Sequence, residues 1–209
     1  DYTETVPSRP KIVGASEEEM AAWLSPLPGG MTWEDLRDRL LGKGKWASVP
    51  QPGHGPDTDN GITEENVDKI IEVFRNSDPK QKDPEHLYYR ITSMRGMLGG
   101  GAYRQTMCKA QKQDGPVWSY FVKFDAPLAT CPEVGYAWHT ADLPLQMRVV
   151  LHDCCEEISK TMAHAWAAFI RTGDPSTPEL PWPQFTVENP MTMVFDDICR
   201  VERDPTAAY

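Results

Sequence analysis

Two ionisable side chains stand where an apolar run gives way to a polar loop, the place where buried sheets gather reactive groups. Glu19 comes shortly after KIVGAS, and His139 lies in TCPEVGYAWHTADLPL, the loop that begins where VWSYFVKF ends. A carboxylate and an imidazole together make a proton relay. The imidazole takes up a proton at one ring nitrogen, while the acid at the other nitrogen fixes the tautomer and stabilises the cation. Such a relay serves a nucleophile, yet none of the nine serines sits in a G-x-S-x-G elbow. Gly14-Ala15-Ser16-Glu17-Glu18 has only the first half of that pattern, and Ser16 precedes the acid, so Ser16 is a decoy. Glu18 is the second choice for the acid.

These two groups need elements to hold them. Lys11 to Ser16 reads as a buried strand opening into a helix that runs through Met20, Ala22, Trp23 and Leu24 to Pro26. Glu17, Glu18 and Glu19 would then lie in its positively polarised first turn. Thr32 is a good N-cap for Trp33 to Leu41, and Thr63 for Glu64 to Arg75, where Val67, Ile70, Ile71 and Phe74 share a face. The segment Gly42 to Gly61, rich in Gly, Pro and Asp, reads as a long surface loop. His86 to Met97 and Ala102 to Gln113 are predicted helices separated by Leu98 and three glycines. Val117 to Phe124 is the clearest strand. A long helix spans Asp153 to Arg171, with Ile158, Met162, Ala165, Trp166 and Phe169 inward and Gly173 closing it, and Met191 to Phe195 is a short strand. Three strands at most among so many helices predict an incomplete α/β sheet whose remaining strands lie in another segment.

Composition narrows the partners. The chain has 209 residues, is 40% hydrophobic and carries a net charge of -10 with a pI near 5.0. That charge repels nucleic acid and anionic membranes, and no basic patch offsets it. With no apolar run long enough to span a bilayer, a soluble protein, cytoplasmic or secreted, is expected. Cys108, Cys131, Cys154, Cys155 and Cys199 are odd in number and lack C-x-x-C spacing, which predicts neither a zinc site nor a disulfide framework. A disulfide through Cys131 or Cys199 stays open, and Cys154 with Cys155 reads as packing at a helix start. His54, His86, His152 and His164 read as structural or exposed. The Gly99-Gly100-Gly101 run lacks the strand and spacing of a phosphate loop.

Several segments together resemble the type-B carboxylesterases, the cholinesterase-like group of the α/β-hydrolases. VGASEEEM resembles their G-x-x-x-D-E-G segment, and GYAWHTADLPL their G-x-x-H-G-x-E-L-P-Y segment. In the same order, GPVWSYFVKFD is similar to the strand entering the histidine loop and AWAAFIRTGDPS to W-x-x-F-A-x-T-G-D-P-N. LPWPQF and MTMVFDD are similar to the closing W-P-x-Y and M-x-F segments. The likeness runs from residue 11 to 197. It implies the C-terminal portion of an α/β-hydrolase fold, an incomplete, mostly parallel sheet flanked by helices, with triad order serine, acid, histidine.

Residue by residue, the resemblance implies Glu19 as the triad acid and His139 as the general base, with Trp23 and, more weakly, Met97 and Leu98 lining a substrate pocket. Met20 and Thr140 replace glycines of the family pattern, and Asp142 stands where glutamate is common. The resemblance further implies ester hydrolysis through an acyl-serine, without metal or organic cofactor. The serine and oxyanion hole would come from an N-terminal chain of the same precursor, and the substrate would be a small-molecule ester. The alternative is a non-catalytic cholinesterase-like binding or adhesion domain. On either reading the isolated chain should be inactive and poorly soluble.

Overall fold

The computed structural model describes residues 9–22, 30–46, 61–77, 80, 83–95, 99–112, 115–128 and 131–207. Its strands are β1 (Lys11–Ser16), β2 (Val117–Val122), β3 (Ala126–Leu128), β4 (Cys131–Tyr136), β5 (Met191–Phe195) and β6 (Arg200–Arg203). One sheet runs in the order β1-β2-β5-β6, parallel except for the β5–β6 pair, and β3 with β4 forms a separate antiparallel hairpin. The expectation of three strands at most is thereby corrected. Sequence periodicity misses β6 because RVER is charged and sits at the sheet edge, and misses β3–β4 because Pro127 and Pro132 break the run.

The helices are α1 (Trp33–Leu40), α2 (Val67–Asn76), α3 (Pro84–Arg95), α4 (Gly99–Gln111), α5 (Asp142–Gln146) and α6 (Glu156–Thr172). Thr32 caps α1 in a reciprocal box with Asp35, as its residue type predicts. Thr63 does not cap α2. Its own N–H donates to Asn66 Oδ1 at 2.8 Å, residues 64–66 form a turn, and the helix begins three residues later than expected. The three glycines open α4 instead of separating two helices. Gly173, at φ 81°, closes α6, where a left-handed residue is required and glycine adopts it without strain. Where a helix was expected after β1, Glu19–Ala22 form a 3₁₀ turn, and Trp23 to Pro26 lie outside the described residues.

Alternation along β2 divides the core. Trp118, Tyr120 and Val122 face α6, where they join Met193, Phe195, Ile158, Met162, Ala165, Trp182 and the half-buried Trp166 and Phe169. Phe121 points the other way, into a cluster built by Leu36 and Leu40 of α1, Val67 and Phe74 of α2, and Leu87, Tyr88 and Ile91 of α3. Cys155 is buried at the start of α6, Cys154 is exposed, and Cys199 is free and partly buried. Among the described residues, β1 is paired on one side only. Among those residues, no helix is long and apolar enough to cross a membrane.

Gly14 pairs with Tyr120, and its missing Cβ makes room for the tyrosine ring. A methyl group there would run into that ring. Gly14→Ala is therefore expected to lower stability by about 1–3 kcal/mol, the usual cost of overpacking. Urea unfolding with an unchanged midpoint would contradict this.

Candidate active site

The residues just past β1 are laced by backbone hydrogen bonds to the end of β2 and to the loop after β4. Glu17 N–H donates to Val122 O at 2.9 Å, Glu18 N–H to Ala137 O at 2.9 Å, and His139 N–H to Glu19 O at 3.2 Å. The acid and the imidazole, 120 positions apart in sequence, are thereby brought side by side. Glu19 Oε2 lies 2.5 Å from His139 Nδ1, and its Oε1 accepts the Ser16 N–H at 2.6 Å. Since an ionised carboxylate only accepts, Nδ1 is the donor of this contact, an arrangement that in the neutral ring puts the lone pair on Nε2. The Glu19 side chain is buried while that of His139 is 37% exposed, so the ring can meet a reactant. Burial pushes the Glu19 carboxyl above the ordinary glutamate value, outweighing the lowering by the Ser16 N–H and by His139.

The three successive glutamates, expected in the polarised first turn of a helix, also have specific partners. All are buried, and each faces a different base. Glu17 Oε1 lies 3.0 Å from Arg90 Nε, Glu18 Oε1 lies 2.8 Å from His86 Nδ1, and Glu19 meets His139. Glu18, the second choice for the acid, is thus committed to another imidazole. His86, read as structural or exposed, is half of that contact. Ser16 is buried, as befits a decoy. Trp23, Met97, Leu98 and His54 lie outside the described residues.

Past the imidazole the chain turns sharply into α5. Thr140 has φ 67°, a left-handed conformation that is costly for a β-branched residue. Asp142 Oδ2 accepts from Tyr120 Oη at 2.7 Å and from Gln146 Nε2 at 2.7 Å, which ties the start of α5 to β2. Burial, and then the neighbouring Asp142 carboxylate, push the Tyr120 hydroxyl up, so it remains a donor. Replacing Thr140 by glycine should relieve backbone strain of about 1–3 kcal/mol, offset in part by glycine's greater unfolded-state freedom. Thermal unfolding of Thr140→Gly checks this, and a variant less stable than the parent would refute it.

The carboxylesterase family matches residues 2–207. This chain belongs to that family. Among individual members, this chain is 30% identical over 106 residues to the para-nitrobenzyl esterase of Bacillus subtilis, covering 46% of this chain and 21% of that protein. A carboxylesterase of Geobacillus stearothermophilus superposes with a TM-score of 0.63 at 22% identity, over 96% of this chain and 40% of that one. An esterase from anaerobic Clostridium hathewayi, described as able to hydrolyse aliphatic aromatic polyesters, superposes with a TM-score of 0.60 at 23% identity, over 94% of this chain and 35% of that one. These likenesses show the α/β-hydrolase fold, and the chain spans well under half the length of the carboxylesterases it matches.

Proposed function

We propose that this chain supplies the acid and the general base of a serine carboxylesterase whose nucleophile lies in a companion segment. In this reading His139 Nε2 accepts the serine proton as the hydroxyl attacks the ester carbonyl, then returns it to the departing alkoxide. Glu19 keeps the imidazole in the required tautomer and stabilises the imidazolium that forms. The observation that carries the reading is the 2.5 Å contact between a buried Glu19 carboxylate and an imidazole that is 37% exposed. A sequence with no G-x-S-x-G elbow supports an external nucleophile.

Two surfaces support a companion segment. One is the unpaired side of β1 among the described residues. The other is the exposed apolar set Leu143, Met147, Val149 and Leu151, which begins four residues past the imidazole. Short p-nitrophenyl esters and a serine-directed phosphonate test the function in the intact protein. Turnover is expected, with the phosphonate on a serine that is none of the nine in this chain. Absence of both turnover and labelling would favour the non-catalytic binding or adhesion reading.

A further inference from the structure

We propose that Glu18 and His86 are a positioning pair, a second carboxylate–imidazole contact that holds the loop from which His139 reaches Glu19. The inference rests on the reading of His139 as the general base. Glu18 is wholly buried and grips Ala137 from both sides of the peptide. Its N–H donates to Ala137 O at 2.9 Å, and its Oε2 accepts the Ala137 N–H at 3.1 Å. Ala137 stands two residues before the imidazole. Successive residues just past β1 thus hold alternate residues of the loop, Glu18 holding Ala137 and Glu19 holding His139.

His86, from the first turns of α3, braces this arrangement in two ways. Its Nδ1 lies 2.8 Å from the remaining oxygen of Glu18, and its ring centroid is 4.3 Å from that of Tyr136, the residue before Ala137. Tyr136 in turn meets Tyr89 edge-on at 5.2 Å, and Tyr89 Oη donates to Glu85 at 2.8 Å. Helix α3 therefore grips Tyr136 through ring contacts and Ala137 through the Glu18 carboxylate. Taking the imidazole away removes a donor from a carboxylate that water does not reach. A carboxylate that answers by rotating or by taking up a proton moves Ala137 and the ring that follows it.

Asp125 also approaches, so that Glu18, His86 and Asp125 each bring a ligand-type atom within 4.8 Å of the others. A divalent cation is not needed to explain that cluster. Both Glu18 oxygens already have hydrogen-bond partners, and Lys80 Nζ supplies positive charge 3.6 Å from Asp125.

The test compares His86→Asn, His86→Gln and His86→Leu in the intact protein. Asparagine places an amide donor near the position of Nδ1, glutamine near that of Nε2, and leucine nowhere. Two readouts are taken: kcat and KM on a p-nitrophenyl ester, and the low-field NMR proton expected of the short Nδ1–H···Glu19 contact. The leucine and glutamine variants should lose up to about 100-fold in kcat, the scale of a small misplacement at the reacting centre, with KM nearly unchanged. Their low-field proton should shift or broaden, and asparagine should restore both readouts. If leucine prevents folding, the asparagine–glutamine contrast decides. Variants that all keep the parent kcat and proton overturn the proposal. So does activity lost to EDTA and regained with zinc, which would make the cluster a metal site. A parent protein that shows the proton but no turnover would sink the esterase reading while the variant series still tests the positioning role.

Discussion

Glu19→Gln should leave the protein folded and stop turnover, with kcat falling by about 10⁴-fold, as amide replacement of a triad acid does elsewhere. The reason is the tautomer. A glutamine can still accept the Ser16 N–H through its oxygen, but it then turns an NH₂ donor toward His139 Nδ1. Nδ1 must accept, the ring proton moves to Nε2, and the nitrogen that should take the serine proton is already occupied. A variant retaining a tenth of the parent kcat would remove Glu19 from the relay.

The same substitution has a pH signature whose sign follows from burial. The folded Glu19 carboxyl titrates above its ordinary value, chiefly because burial disfavours the charge. Its stabilising contribution is therefore complete below the unfolded value and is lost as pH rises through the raised folded value. Relative to the glutamine variant, the parent should gain stability on acidification through that window. Urea midpoints on either side of it check the direction, and a relative gain on alkalinisation would contradict the assignment.

The second large effect concerns stability alone. Trp182 is 1% exposed, donates its indole N–H to Ser119 O at 3.1 Å, and accepts the Trp118 indole N–H on its own carbonyl at 3.1 Å. Its ring lies 5.9 Å from Trp166 and 5.6 Å from Phe195, so one side chain joins β2, β5 and α6. Trp182→Ala should cost about 3–5 kcal/mol, a large fraction of the total for a domain of this kind. Equilibrium urea unfolding measures it, and a loss below about 1 kcal/mol would show that the ring is not the keystone of that cluster.

Much of this was legible before any coordinates. Glu19 stands just after a strand that its composition reveals, whereas His139 follows β4, which the prolines hide, and Thr32 is followed three residues later by the acid that completes its cap. What stayed hidden depends on distant partners. EEE reads locally as a helix start, because the Arg90 and His86 that face it arrive on a helix far along the chain. The glycines before Ala102 read as a break because low propensity is all that a sequence window sees, whereas the packing of α4 against β1 and β2 overrides it. Charged RVER hides a strand for the complementary reason, since an edge strand needs little apolar surface.

The Glu17–Glu19 run also bears on how related chains should be aligned. Glutamate is the same at all three places, so a one-residue offset there changes no score, yet it would assign each carboxylate its neighbour's base. In the molecule a single-codon deletion in this stretch would leave one of the three bases without its acid, though the remaining text would look nearly intact.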